Sequence, residues 1–258
     1  MTCKASFQKI LTGVIVVAPL LAGCQAEPAS TAAVTTTSPA GQSTAPSAAS
    51  AERRDMALVR VVHAIPAGAS VDVFAGDNRA FDGLAFKTVT PYQEIDGERQ
   101  TFRLRPAGME RADPLASNTE GLDDGSYYTV FALPGDDDAA SLRVVKDDHS
   151  LPAAGKVRLR VVHASRDAGE IDVRIAGRAD VLFDGVDFQS VSGYDEIDPV
   201  AGSLELRPEG SSNAMLTLPD VRLDAGKTYT IVIVGRVRTA PKLEAFVIED
   251  QAMGAPVP

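Results

Sequence analysis

LVRVVHA (Leu58–Ala64) and RLRVVHA (Arg158–Ala164) are nearly identical stretches that lie one hundred residues apart in this 258-residue chain. The chain has three histidines, and two of them, His63 and His163, close this shared phrase. A phrase that recurs at such a distance indicates either a duplicated active site or a duplicated piece of scaffold.

The repetition extends well beyond the two histidines, and its offset stays between 100 and 102 residues. This predicts a tandem duplication of a unit of about 95 residues. The matching pairs are VDVFAG (Val71–Gly76) with IDVRIAG (Ile171–Gly177), FDGLAF (Phe81–Phe86) with FDGVDF (Phe183–Phe188), RLRPAG (Arg103–Gly108) with ELRPEG (Glu205–Gly210), and LDDGSYYTVF (Leu122–Phe131) with LDAGKTYTIV (Leu223–Val232).

Each unit has the two-residue period of β-strands. Val157–Val161 alternates apolar residues with Arg158 and Arg160, and Ile171–Ile175 alternates them with polar residues that include Asp172. The pattern predicts half-buried strands with the arginines and Asp172 on the solvent side. Turn-forming residues separate these runs, which favours a two-sheet sandwich in each unit.

A tyrosine opens a late apolar strand in both units. A turn at Leu122–Gly125 precedes Tyr128, and a turn at Leu223–Gly226 precedes Tyr229. This layout is typical of the tyrosine corner, a structural feature in which the hydroxyl bonds to upstream backbone. The predicted fold class is therefore all-β, with two tandem immunoglobulin-like β-sandwich domains.

The N-terminus is predicted to be a lipoprotein signal peptide. Lys4 and Lys9 precede the apolar run Ile10–Ala22, which is too short to span a bilayer. The run ends in Leu21-Ala22-Gly23-Cys24, which resembles the bacterial lipobox, so Cys24 is predicted to carry the palmitate-type anchor. Cleavage would remove the only other cysteine and leave the exported protein without a disulfide.

The remaining chain divides by composition. An Ala/Ser/Thr/Pro-rich stretch follows Cys24 and is predicted to be a disordered tether, because it cannot bury enough apolar surface to fold. A short connector at Lys146–Lys156 predicts sandwiches placed end to end. The predicted segments are the signal peptide 1–23, lipidated cysteine and linker 24–55, first sandwich 56–150, second sandwich 151–250, and disordered tail 251–258.

Charge and composition limit the partners. The net charge of −10 and the absence of Trp argue against nucleic acid, whose binders present basic patches and stacking aromatics. The expected partners are a membrane, through the lipid anchor, and an unknown protein or glycan. The expected location is extracytoplasmic, on the outer membrane if the bacterium is Gram-negative, because Gln25 rather than Asp follows Cys24.

From Leu58 to about Asp250 the chain resembles a bacterial extracytoplasmic domain family of unknown function. Members open their units with Arg-Val-Val-His-Ala-Ser-Pro-Asp and continue with Val-Asp-Val, Ser-Pro-Tyr and Gly-x-x-Tyr-Thr-Val. Here the histidine is followed by Ile65-Pro66-Ala67 in one unit and Ser165-Arg166-Asp167 in the other. The resemblance implies exported, often lipid-anchored tandem domains and brings no established catalytic residues.

His63 and His163 are the candidate site residues, since a His–Asp pair can form a general base or half of a metal site. Parity places His163 with Val157, Leu159 and Val161 on the core side, away from Asp172, so a structural histidine at a strand end is favoured. No catalytic residue, metal ligand or cofactor is predicted; one histidine per unit falls short of a catalytic zinc set.

Two hairpin tips carry opposite charge, which suggests contact with a partner or with another copy of the chain. They are Asp136–Asp138 in the first unit and Gly235–Lys242 in the second. The leading hypothesis is a non-enzymatic surface lipoprotein that binds, adheres or organises the envelope. The alternatives are a metal-dependent binder or enzyme that uses His63 and His163, and an envelope signalling accessory.

Overall fold

The structure is a computed structural model that describes residues 56–66 and 69–250. The signal peptide, Cys24, the linker and the tail 251–258 lie outside the described residues. The first repeat contains β1 (Met56–His63), β2 (Val71–Ala75), β3 (Asn78–Leu84), β4 (Gln93–Asp96), β5 (Glu98–Pro106), β6 (Ala116–Leu122), β7 (Tyr127–Pro134) and β8 (Ala140–Asp147). The second contains β9 (Val157–His163), β10 (Ile171–Ile175), β11 (Val181–Val186), β12 (Asp195–Ile197), β13 (Val200–Pro208), β14 (Leu216–Leu223), β15 (Thr228–Val234) and β16 (Glu244–Asp250).

The described strands form four sheets of four strands each. The inner sheets have the orders β4-β1-β7-β8 and β12-β9-β15-β16, and the outer sheets have the orders β3-β2-β5-β6 and β11-β10-β13-β14. In each inner sheet the opening strand pairs in parallel with the strand after the tyrosine turn, β1 with β7 and β9 with β15. The prediction of an all-β fold of tandem β-sandwiches is confirmed.

Each sandwich has its own apolar core. In the first repeat, Val59 and Val61 of β1 and Val130 of β7 face Val73 and Leu104 of the outer sheet. All five side chains are fully buried or nearly so. Alternate residues of a strand point to opposite faces, so this core uses only half of the apolar residues of β1 and β7.

The other half forms a third core between the two inner sheets, where Val62 and Phe131 of the first repeat cluster with Val162 and Val232 of the second. The inner sheets are therefore covered on both faces. This explains why β7, β9 and β15 are buried almost throughout, as in sheets packed between two layers. The prediction of sandwiches placed end to end is wrong, because the repeats pack side by side through their inner sheets.

The second face also overturns the predicted solvent side of the strands. Arg158 and Arg160 are buried rather than exposed, because their face of β9 is covered by the first repeat. Asp172 is likewise fully buried, and it accepts a hydrogen bond from the Gly185 N–H at 3.0 Å. The alternation of residues correctly assigned side chains to the two faces of each strand, but it did not indicate that both faces are buried.

The opening strands of the two repeats, β1 and β9, run in the same direction. Met56 begins β1, and Asp250 ends β16 beside Thr228. Because Asp250 contacts Arg60 of β1, both ends of the described chain lie at the same end of the inner sheets. His63 and His163 close β1 and β9 at the opposite end. The loops that follow the histidines therefore lie about 25 Å, the length of an eight-residue strand, from the ends of the described chain. Within the described residues no helix is long and apolar enough to cross a membrane.

Candidate functional site

Two buried ion pairs cross the interface between the repeats. Arg160 of the second repeat donates from Nη2 to Asp147 Oδ1 of the first at 2.6 Å, and both side chains are 1% exposed. Arg60 of the first repeat pairs in the same way with Asp250 of the second. The exchange is reciprocal, so each repeat supplies one cation and one anion to the interface.

Hydroxyl groups also donate hydrogen bonds to each carboxylate. Thr129 and Tyr92 donate to Asp147 Oδ2 at 2.6 and 2.8 Å. Burial alone would raise the pKa of Asp147, but the guanidinium groups of Arg160 and Arg60 and the two hydroxyl donors outweigh it, and the pKa is held below its ordinary value. Asp147 is therefore ionised in the folded protein at neutral pH.

The second carboxylate has equivalent donors. Thr230 and Tyr194 donate to Asp250 Oδ2 at 2.6 and 3.0 Å. The Arg160 guanidinium also lies over the Tyr194 ring, 4.6 Å from its centroid, which adds a cation–π contact. The two repeats are thus joined by a hydrogen-bonded network with approximate two-fold symmetry.

His163 is a satisfied structural residue at the opposite end of the inner sheets. Its Nδ1 accepts the Ser165 N–H at 3.1 Å, and its Nε2 lies 2.8 Å from the Gly169 carbonyl oxygen. A neutral imidazole has one donor and one acceptor, so Nε2 carries the proton and donates to Gly169. Burial lowers the pKa of His163, which favours this neutral form.

His63 has the same position in the first repeat but lacks the second contact. Its Nδ1 accepts the Ile65 N–H at 3.3 Å, so the proton of the neutral ring is on Nε2. Burial lowers the pKa of His63 to about 4, and the ring is neutral at physiological pH. Although the side chain is fully buried, Nε2 has no hydrogen-bond partner among the residues that the structure describes.

His63 lines a cavity of about 610 Å³. The wall is mostly apolar, and the second repeat contributes Arg236 to it. The lining residues are His63, Ile65, Pro66, Ala69, Ser70, Val71, Pro106, Leu115, Pro134, Ala139, Ala140 and Arg236.

Sequence differences after the histidines explain why the repeats differ here. In the second repeat, Asp167 accepts the N–H groups of Val237 and Arg238 at 2.8 and 3.0 Å, which ties the loop to the β15–β16 hairpin. The equivalent position of the first repeat is occupied by Ala67, which has no carboxylate to form such a tie. Six residues after His63, where the second repeat has Gly169, Ala69 lines the cavity instead.

The oppositely charged hairpin tips contact the neighbouring repeat of the same chain. Arg166 lies 3.4 Å from Asp137, and Arg236 shares the wall of the cavity with Pro134 and Ala139 beside the acidic tip. The Asp137 carboxylate thus faces a cation of its own chain, although its side chain is fully exposed. Contact of the tips with a partner or a second copy stays a prediction.

Tyr128 and Tyr229 occupy equivalent positions near the ends of the described chain. The Tyr128 hydroxyl accepts the Asp123 N–H at 2.9 Å, and the Tyr229 hydroxyl accepts the Asp224 N–H at 3.2 Å. Both rings are buried. Each hydroxyl thus joins its strand to the preceding turn, and neither lies at the histidine end.

The structure does not bring His63 and Asp72 together as a catalytic or metal-binding pair. Asp72 is buried and accepts the N–H groups of Gly83 and Gly108 at 2.7 and 2.9 Å. Among the described residues, no group of three or more His, Cys, Asp or Glu side chains is arranged to hold a metal ion. Asp72 therefore fixes two turns of the outer sheet.

The residues of the interface network were not predicted from the sequence. A signal was present, because Arg60 recurs at position 160 and Tyr92 recurs at position 194, each at the offset of the duplication. Polar residues that are duplicated together with their apolar neighbours indicate a shared structural environment. The partner of each arginine lies in the other repeat, and no pattern within one unit could identify it.

Comparison with known protein families gives a match that begins in the first repeat. Residues 57–174 match the family described as Domain of unknown function (DUF4397). The matched region covers the first repeat apart from Met56 and continues through β9 and most of β10 of the second. No curated protein matches the sequence significantly.

Proposed function

We propose that this protein is a non-enzymatic extracytoplasmic lipoprotein that binds an envelope component. In this proposal Cys24 carries the lipid, residues 24–55 form the tether, and the two sandwiches act as one rigid binding body. A lipid anchor with more than one acyl chain gives stable attachment, because each buried CH₂ contributes about 0.8 kcal/mol.

One observation carries the proposal: both ends of the described chain lie at one end of the inner sheets, and the histidine loops of both repeats lie at the other. A tether that joins at Met56 would leave the histidine end facing away from its attachment point. The interface fixes the loops of both repeats beside each other, as the Arg166–Asp137 contact illustrates. Rigid presentation of adjacent loops suits recognition, because less entropy is lost on binding.

The histidine end also carries exposed apolar side chains that a partner can cover. Met109, Leu115 and Val237 are 59%, 48% and 38% exposed, and all three lie on connections at this end. Burial of such side chains contributes about 25 cal/mol per Å² of apolar area. The alternative with His63 and His163 as metal ligands or bases gains less support, because His163 already uses both ring nitrogens.

Anchoring is tested by labelling the full-length protein with a palmitate analogue in a bacterial host. The proposal expects the label on the wild type and its loss in Cys24→Ala. Label that survives this substitution would refute attachment through Cys24.

Recognition is tested with a photo-crosslinking amino acid placed at Val237, at the histidine end, or at Asp124, an exposed residue at the other end. The proposal expects a discrete crosslinked envelope product from position 237 and none from the matched control at position 124. Equal products from both positions, or none from position 237, would contradict recognition by the histidine end.

A further inference from the structure

The buried Nε2–H of His63 has no hydrogen-bond partner among the described residues, whereas the equivalent group of His163 does. His163 donates from Nε2 to Gly169, whereas Nε2 of the equally buried His63 has no partner among the described residues. A buried N–H without an acceptor destabilises the fold, because burial removes its hydrogen bond to water and no hydrogen bond within the protein replaces it. The histidine is present in the first repeat even though no described carbonyl takes the place of the Gly169 oxygen there.

His63, the residue that carries the unpaired donor, lines a mostly apolar cavity. At about 610 Å³, the cavity has the size typical of small-molecule sites, which combine mostly apolar walls with a few polar groups that orient the ligand. Ile65, Val71 and Leu115 are among its apolar residues. Ser70 and Arg236 are the other polar residues of the lining, and the neutral N–H of His63 is the donor that has no partner among the described residues. A mostly apolar wall with this donor favours a ligand with an apolar body and a hydrogen-bond acceptor.

We propose that this cavity binds a small apolar molecule whose carbonyl oxygen accepts a hydrogen bond from Nε2 of His63. The ligand belongs to the class of ketones, esters and amides, because a neutral imidazole N–H pairs with a neutral acceptor without burying a charge. The site is formed by the folded repeats and does not depend on the lipid anchor or on a macromolecular partner.

The test uses a fluorescent probe of this class, a naphthalene that carries a dimethylamino group and a propionyl ketone. Its emission responds to the polarity around the ring and to hydrogen bonding at the carbonyl. The control probe is the same dimethylaminonaphthalene without the ketone. Full-length protein with Cys24→Ala is titrated with each probe, so that the lipid cannot bind the dye.

Three variants distinguish the hydrogen bond from the cavity. His63→Phe keeps a buried aromatic ring and removes the donor, and it should bind the ketone probe about tenfold more weakly, as expected for one lost hydrogen bond. Ala139→Trp fills the cavity from an exposed wall residue and leaves the His63 donor in place, and it should abolish binding of both probes. Asp124→Trp, at the far end, should bind both probes like the parent.

Ring ¹⁵N NMR provides a readout that a purely structural histidine would not give. On addition of the ketone probe, the Nε2 signal of His63 should shift while the ring stays neutral, and the His163 signals should not change. The proposal is overturned if the ketone probe fails to saturate the parent protein, if a correctly folded His63→Phe binds it equally well, or if Ala139→Trp leaves binding intact.

Discussion

Replacing Asp147 by alanine should destabilise the folded protein strongly, because it removes the carboxylate that joins the repeats. Asp147 accepts hydrogen bonds from Arg160, Thr129 and Tyr92, and its side chain is 1% exposed. Without it, Arg160 stays buried with an uncompensated charge and two hydroxyl groups lose their acceptor. Breaking a buried pair in this way costs about 3–5 kcal/mol, so we expect a loss of about 4 kcal/mol in the free energy of unfolding.

The assay is equilibrium unfolding in urea at pH 7, followed by circular dichroism. The matched control is Lys146→Ala, one residue away on β8, whose ion pair with Asp123 is largely solvent-exposed. It should change stability little, because exposed pairs are screened by water. A double variant, Asp147→Leu with Arg160→Met, should recover most of the loss, because it leaves no unpaired charge.

The reasoning would be refuted if Asp147→Ala were no more destabilising than Lys146→Ala. It would also be refuted if the double variant were less stable than the single one. The pH dependence has a definite sign: the pKa of Asp147 is lowered in the folded state, so its stabilising contribution is present above about pH 4, the ordinary Asp pKa, and is lost as the pH falls through the folded value.

Two further predictions concern other buried groups. Burial lowers the pKa of His63 to about 4, so between pH 6.5 and 4 the unfolded chain binds a proton that the folded protein does not. In urea titrations, wild-type stability should therefore fall by about 3 kcal/mol more than that of His63→Phe between pH 7 and pH 4. An identical dependence of stability on pH in the two proteins would contradict this. Asp72→Ala should lower the free energy of unfolding by about 2 kcal/mol, and with it the thermal midpoint, because the N–H groups of Gly83 and Gly108 lose their acceptor. Asp77 is exposed, so Asp77→Ala should leave the midpoint unchanged. Equal midpoints for the two variants would show that Asp72 does not fix the turns.

Strand periodicity and the repeat were enough to predict the sandwiches, since the period-two pattern of Val157–Val161 directly reports a strand with two faces. Periodicity did not predict what covers each face of the strand. Arg160 was expected in water because arginine is rarely buried, and only an anion on the other repeat overrides that preference. Asp172 was misplaced for a similar reason, because backbone N–H donors in turns cannot be read from alternation.

The two histidines of the candidate site were predicted from the sequence, but the difference between them was not. His163 is completely buried, but so is every residue of β9, so burial alone does not test the predicted core-side position. The difference between His63 and His163 could not be predicted, because it depends on where the Gly169 carbonyl oxygen lies and on the Asp167 hydrogen bonds to the β15–β16 hairpin. The sequence marks the difference only as Ile65-Pro66-Ala67 in place of Ser165-Arg166-Asp167.

Differential scanning calorimetry tests most directly whether the two repeats form one body. The sample is the full-length Cys24→Ala protein at pH 7, and the quantity is the ratio of the calorimetric to the van't Hoff enthalpy of unfolding. Because the third core and the reciprocal ion pairs join the inner sheets, the account predicts a single transition with a ratio close to one. Two separate transitions, one for each sandwich, would contradict it.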